Sequence, residues 1–266
     1  MEIDGLILDI DGVISRGRKP IERAIEGYRM LKDAGIKVVF VSNNSTRSRR
    51  IMFERFASFG IDAEEEDLII ATHATAVYIA REHGKARIYT TGEPGLQEEL
   101  QNLGHELVDY REAEFLVVGS NRGINFEIFT KALRLALNEN IRYVAVNPDK
   151  VFPAEDGPIP GTGLIIGALY WMTGRMPDAI VGKPSKIIME QAIERLGLDR
   201  DRVAIVGDQI DVDVLAGKNA GIKTILVLSG VTDESNYRKK VEEVGVEPDY
   251  VFRDLYEVAQ RLTSSK

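Results

Sequence analysis

The chain has 266 residues, 44% hydrophobic and 29% charged, with no cysteine and a formal net charge of -8. The missing thiols exclude disulfides, thiolate metal sites and thiol catalysis. The acidic balance argues against a nucleic-acid partner, because no basic arm or stripe offsets it.

The length suits one large domain or two modest ones, with a core that needs no staples. The chain opens Met1-Glu2-Ile3-Asp4, without the basic and apolar segments of a signal peptide. The most apolar helical stretch, residues 164–172, is far shorter than the roughly 20 residues of a membrane span. A cytoplasmic protein without a membrane or nucleic-acid partner is expected.

Short apolar runs alternate with helical patterns along the whole chain. Leu6-Ile7-Leu8 reads as a buried strand. Residues 20–34 follow as a helix, with Pro20 in the first turn and Gly35 past the end, as helix ends favour. Val38–Val41 is the next strand, being apolar and rich in β-branched residues. Residues 47–59 and 72–83 are helices closed by Gly60 and Gly84. Between them the acidic run 64–67 reads as a loop before a strand. Arg47, Arg49 and Arg50 form the densest basic cluster and are expected on a solvated helix face.

The middle, about 85–178, has strands near 88–89, 107–108, 115–118 and 143–146, with helices over 93–103 and 126–137. The first rhythm then resumes. Strands are expected at 179–181, 203–206, 224–228 and 249–252, with helices over 185–196, 211–220 and 255–262. This alternation means an α/β protein with a parallel sheet flanked by helices.

Four strand-like runs end in polar residues able to do chemistry. Leu8 leads into Asp9, Asp11 and Gly12, and Val41 into Ser42, Asn43 and Asn44. Gly182 leads into Lys183, and Gly207 into Asp208, with Asp211 and Asp213 beyond. In an open parallel sheet ligands bind beyond the carboxyl ends of the strands, so these groups would converge at one edge. Several carboxylates together call for a cation, and an oxygen-rich set without His or Cys suits Mg²⁺. Lys183 and the neutral donors complete a receptor for a phosphoryl group. A serine nucleophile needs a base, and no histidine follows a suitable strand. An aspartate is ionised at neutral pH by its ordinary pKa. Asp9 is therefore the expected nucleophile and Asp11 the general acid/base. Asp211 reads as a helix-start residue. Asp213 reads as an outer residue orienting Lys183 or a metal-bound water.

These motifs resemble the haloacid dehalogenase (HAD) superfamily of phosphohydrolases: Asp9-Ile10-Asp11-Gly12-Val13, Val41-Ser42-Asn43-Asn44, Gly182-Lys183-Pro184-Ser185, and Gly207-Asp208 through Asp213. Asn147-Pro148-Asp149, Pro160-Gly161-Thr162-Gly163 and Leu215-Ala216-Gly217 are similar to its p-nitrophenyl phosphatase-like branch, subfamily IIA, which includes nucleotide, phosphoglycolate and pyridoxal phosphatases. The resemblance implies a Rossmann-like core of residues 1–80 and 180–266, with an inserted α/β cap of residues 81–179. It implies Mg²⁺ held by Asp9, the Asp11 backbone carbonyl and Asp208. Ser42 and Lys183 would hold the phosphoryl group, with Asn43 and Asn44 lining the same site. The cap would close over a small phosphorylated substrate, and a homodimer through the cap is expected on the same basis. Vitamin B6 phosphatases of the branch carry a His where Phe152 stands here. That weighs against pyridoxal phosphate and makes Phe152 a candidate contact for an apolar leaving group.

Other chemistries fit less well. Pro184 after Gly182-Lys183, and Pro177 in place of a leading glycine, exclude a P-loop. Gly161, Gly163 and Gly167 form a poor dinucleotide fingerprint. His73, His83 and His105 lack zinc-protease spacing and are expected at the surface or on helices. A phosphotransferase shares the same motifs. A phosphoacceptor signalling module shares the acidic cluster but needs neither Asp11 nor the insertion.

Overall fold

The computed structural model describes residues 2–152 and 157–264. The chain forms two compact units, one of Met1–Ser42, Phe53–Ile69 and Lys183–Lys266, the other of Asn43–Met52 and Ile70–Gly182.

In the first unit β1 (Gly5–Asp9) is buried at all five positions, as a strand covered on both faces must be. The hairpin β2 (Ser15–Arg16) and β3 (Lys19–Pro20) follows. Helix α1 (Glu22–Asp33) buries Ala24, Ile25, Tyr28 and Leu31 at helical spacing. β4 (Lys37–Ser42) comes next, then α2 (Arg49–Ser58), which belongs to this unit from Phe53 on, and β5 (Leu68–Ile70), which belongs to it through Ile69. The acidic run before β5 forms a 3₁₀ turn, Glu65–Asp67, and Arg195 pairs with Glu64 and Asp67.

The second unit takes α3 (Ala71–His83), β6 (Arg87–Thr90), α4 (Pro94–Asn102), β7 (Glu106–Leu107) and β8 (Phe115–Val118). It continues with α5 (Phe126–Ala136), β9 (Arg142–Ala145), the hairpin β10 (Val151–Phe152) and β11 (Ile159–Pro160), α6 (Gly163–Thr173) and β12 (Ala179–Ile180). The chain returns to the first unit with α7 (Lys186–Leu196) and β13 (Val203–Gly207). A π-helical turn, Ile210–Val214, precedes α8 (Leu215–Ala220). β14 (Lys223–Val227), α9 (Tyr237–Val244), β15 (Tyr250–Phe252) and α10 (Leu255–Thr263) end the fold.

The first unit's sheet has the order β15-β14-β13-β1-β4-β5 and is parallel from β15 through β4. Central β1 pairs Leu8 with Val206 and Asp9 with Val41. Asp9, Ser42 and Asp208 therefore emerge at the same carboxyl-terminal edge. Beneath them Leu6, Ile7, Leu8, Phe40, Val206 and Leu226 are fully buried. Phe40 meets Phe56 edge to face, with ring centroids 4.7 Å apart, and Tyr28 at 5.6 Å.

The second unit has its own parallel sheet, in the order β12-β9-β8-β6-β7. Leu116, Val118, Leu135, Tyr143, Ile165 and Leu169 join this sheet to α5 and α6 as one core. Among the described residues no helix is long and apolar enough to cross a membrane.

The strand expected at 179–181 departs from the sequence reading. Its residues Ala179 and Ile180 pair with Val144 and Ala145 at the edge of the second sheet, not in the sheet of β1. A three-residue apolar run carries no information about which sheet will accept it. Helix α3 also lies in the second unit. His105, expected at the surface or on a helix, is buried before β7. Its Nδ1 accepts from the Ala86 amide at 3.3 Å and its Nε2 lies 3.0 Å from the Ala76 carbonyl.

Candidate active site

The first unit gathers Asp9, Lys183, Asp208 and Asp213, all buried, at the carboxyl edge of its sheet. Lys183 Nζ donates to Asp9 Oδ1 at 2.5 Å and to Asp213 Oδ1 at 2.6 Å. Lys183 is the residue at which the chain returns to the first unit, directly after Gly182. Asp213 comes from the π-helical turn, a feature common at functional sites. Its Oδ2 accepts the Gln209 and Asp208 amides at 3.0 and 3.2 Å. A Cβ on Gly207 would overlap the Asp213 side chain, so β13 must end in glycine. Ser42, at the end of β4, is buried, whereas Asp11 is exposed. The turn after β1 is closed by the Gly12 amide on the Ser15 carbonyl at 2.8 Å. Gly12 has φ +91°, a conformation that glycine adopts without a Cβ penalty. Asp211, expected at a helix start, is exposed within the π-helical turn.

Oxygens of Asp9, Asp208 and Asp213 lie within 4.8 Å of one another. A single buried lysine cannot balance three carboxylates. Burial pushes the Asp9 carboxyl well above its ordinary range, with Lys183 opposing and Asp213 and Asp208 adding to the rise. Burial also lifts Asp208 to about 7, assisted by Asp213 and opposed by the Val231 amide. For Lys183, burial alone would lower the pKa, but Asp213 and Asp9 outweigh it and raise it. The ordinary aspartate pKa therefore does not describe Asp9 here, because desolvation dominates. Asp208 Oδ1 is buried and accepts no hydrogen bond from the described residues. A buried carboxylate oxygen left bare is costly unless a cation covers it. The donors are hard oxygens without His or Cys, which fits Mg²⁺.

The remaining candidates lie in the second unit. The Asn43 Nδ2 donates to Asp149 Oδ1 at 2.8 Å, and the Asn147 side chain donates to the Asn43 carbonyl. Asn44 Oδ1 accepts the Thr46 and Arg47 amides at 3.1 and 2.8 Å, capping the segment ahead of α2. Phe152 is half-buried on the β10–β11 hairpin. The Arg47–Arg50 cluster is only partly solvated. Arg50 is exposed and pairs with Glu98, whereas Arg47 and Arg49 are half-buried. The Arg49 amide donates to buried Glu99, which also holds His73 Nδ1 at 2.8 Å.

Some residues that touch the site were not singled out from the sequence. The Val231 amide donates to Asp208 Oδ2 at 2.5 Å. The Ser229 hydroxyl donates to the Gly12 carbonyl at 2.7 Å. Arg16 donates to the Ser229 carbonyl from Nη2 at 2.6 Å and from Nε at 3.1 Å. Their signal was available, since Ser229-Gly230 also follows an apolar strand.

Comparison with known proteins identifies relatives of the whole chain. Residues 6–106 match the model of haloacid dehalogenase-like hydrolases, and residues 180–258 match a second, HAD-hydrolase-like model. The chain is 59% identical to a p-nitrophenyl phosphatase of known structure from Archaeoglobus fulgidus, with a TM-score of 0.95, covering 98% of this chain and 100% of that one. It is 37% identical to a 5'-nucleotidase of Bacillus subtilis, over 90% of this chain and 92% of the relative. An acid sugar phosphatase of Staphylococcus saprophyticus is 34% identical, over 96% of both chains. With such likeness along nearly its whole length, the chain belongs to the haloacid dehalogenase superfamily, in its p-nitrophenyl phosphatase-like branch, and is a phosphatase.

Proposed function

We propose that this phosphatase is a Mg²⁺-dependent hydrolase of small phosphomonoesters that works through a phosphoryl group carried on Asp9. The observation that carries the reading is the buried cluster of Asp9, Asp208 and Asp213 around Lys183, with Asp208 Oδ1 unpartnered among the described residues. Asp9 and Asp208, with the Asp11 backbone carbonyl, would hold the ion. When bound, it supplies positive charge that keeps these carboxylates ionised and offsets the negative phosphoryl oxygens.

Lys183 bonds Asp9 through Oδ1, and the attack is assigned to Oδ2. Asp9 Oδ2 forms the new O–P bond as the ester O–P bond breaks. Protonated Asp11 donates its proton to the departing oxygen. The Asp11 carboxylate then takes a proton from water, whose oxygen attacks phosphorus and releases Asp9. Exposed Asp11 can exchange protons with solvent between these steps. Ser42 and Lys183 hold the phosphoryl oxygens, with Asn43 and Asn44 lining the same site and Asp213 orienting Lys183. The core and cap roles are assigned to the first and second units. Phe152 on the second unit's hairpin is assigned to the leaving group.

The named activities of the relatives, on nucleotides and on sugar phosphates, suggest small phosphorylated metabolites as substrates. A screen of such esters, ranked by kcat/KM and repeated with Phe152→Ala, tests the assignment. Many turnovers of p-nitrophenyl phosphate with Mg²⁺, lost in chelator and in Asp9→Asn, are expected. Release of one p-nitrophenolate per chain with the phosphoryl group retained, or transfer only to alcohols, would contradict hydrolysis. A homodimer through the second unit is supported by the apolar side chains on α6, where Trp171 is 89% exposed; a monomer by light scattering would exclude it. Cytoplasmic residence is part of the same reading, and recovery in an envelope or secreted fraction would contradict it.

A further inference from the structure

The loop after β14 is not among the four motifs, yet it contacts Asp208 directly. The Val231 amide donates to Asp208 Oδ2 at 2.5 Å, and the Thr232 amide to the Asp208 carbonyl at 3.2 Å. A Cβ on Gly230 would overlap Asp208 Oδ2, and so would a Cβ on Gly12. Two glycines from two separate loops thus pack against the same carboxylate oxygen. Those loops are tied together by the Ser229 hydroxyl, which donates to the Gly12 carbonyl at 2.7 Å. Arg16, from the β2–β3 hairpin, holds the Ser229 carbonyl from the outside. Lys240 and Asn236 secure the far end, donating to the Val231 carbonyl at 2.9 and 3.1 Å.

The two carboxylate oxygens of Asp208 are therefore in unlike surroundings. Oδ2 is capped by an amide and enclosed by two glycines. Oδ1 is buried and bare among the described residues. A carboxylate free to rotate could offer either oxygen, or both, to an ion. This one is held so that a single oxygen is presented. Mg²⁺ demands near-ideal octahedral geometry and tolerates a chelating carboxylate poorly, whereas the larger Ca²⁺ accepts one readily.

We propose that residues 229–232, with Gly12 and Arg16, form a clasp that locks Asp208 as a one-oxygen metal ligand and so sets the affinity and selectivity for Mg²⁺. The inference rests on the reading of Asp208 as a metal ligand. Gly230 and Ser229 are positioning residues, acting on the ion only through Asp208. The clasp also couples Asp208, just after β13, to the turn carrying Asp11, because the loop bonds Asp208 through Val231 and Gly12 through Ser229.

The test measures metal binding directly, by titration calorimetry with Mg²⁺ and Ca²⁺ on full-length protein stripped with chelator. Gly230→Ala should weaken Mg²⁺ binding about tenfold or more, the usual consequence of losing an outer partner. Ca²⁺ binding should change less, so the preference for Mg²⁺ falls. Ser229→Ala should shift Mg²⁺ affinity in the same direction by a smaller factor, and Ser229→Thr, which keeps the hydroxyl, should restore it. A purely structural role would lower thermal stability while leaving the ratio of Mg²⁺ to Ca²⁺ affinity unchanged. A folded Gly230→Ala protein that binds both ions as the wild type does overturns the proposal. If Gly230→Ala does not fold, Ser229→Ala decides, and an unchanged affinity ratio in that variant overturns it. Wild-type protein that binds no Mg²⁺ would sink the metal reading itself. Normal wild-type binding with unaffected variants would sink only the clasp.

Discussion

Replacing Asp208 by Asn keeps the shape of the side chain and removes its charge. The amide oxygen can still accept from the Val231 amide, which now serves Oδ2. The amide nitrogen would stand where Oδ1 is now bare, beside the carboxylate cluster with Asp9 and Asp213. In the metal-free protein the Asp208 carboxyl is lifted from 3.8 to about 7, first by burial and then by Asp213. At about 1.4 kcal/mol per pH unit, ionising it costs the folded state about 4 kcal/mol. The folded state holds this proton more tightly than the unfolded state. The cost is therefore absent below the unfolded pKa, grows with rising pH, and is complete above about pH 7.

Asp208→Asn should accordingly be more stable than the wild type in chelator at pH 8, by up to about 4 kcal/mol. The advantage should shrink steadily as the pH falls towards 5. Urea unfolding at several pH values measures it through the midpoint at constant slope. Mg²⁺ should narrow the gap, because an ion at one hundred times its dissociation constant stabilises the wild type by about 2.7 kcal/mol and the variant hardly at all. If the variant in chelator at pH 8 is no more stable than the wild type, the carboxylate cluster is not the electrostatic burden described here.

Two further predictions concern the same unit. Lys183→Met leaves Asp9 and Asp213 without the cation that both touch. It should destabilise the metal-free protein by about 3–5 kcal/mol and abolish turnover, and a loss within measurement error by urea unfolding would refute the buried ion triad. Phe56→Ala removes a fully buried ring packed edge to face on Phe40. It should cost about 3–5 kcal/mol without changing KM for p-nitrophenyl phosphate, and a raised KM at intact stability would contradict a purely packing role.

Much of the first unit's site could be read from the sequence, because strand ends fix position. Asp9, Ser42 and Asp208 follow uninterrupted apolar runs, and parallel pairing puts the ends of such runs at one edge. Lys183 was legible as a residue but not by its route. It follows an edge strand of the other sheet, and pairing partners are set by tertiary packing, not by a three-residue pattern. Asp213 reaches Lys183 through a π-helical turn, whose extra residue changes the helical register in a way that no spacing rule anticipates. The ionisation of Asp9 was illegible for a different reason: its pKa depends on burial and on neighbours distant in sequence. The Ser229-Gly230 loop was overlooked because Ser-Gly is ordinary loop composition. Its meaning lies in the absence of a Cβ beside Asp208.

The central claim is that phosphate passes through Asp9, and Asp11→Asn tests it most directly. Without the acid/base, p-nitrophenolate can still depart, since it is a good leaving group, but water is no longer activated to release Asp9. Mixing this variant with p-nitrophenyl phosphate and Mg²⁺, quenching in acid and reducing with borohydride should convert residue 9 to homoserine, located by peptide mass spectrometry. Turnover without any modification of Asp9, or a phosphoryl group found on Ser42, would contradict the account.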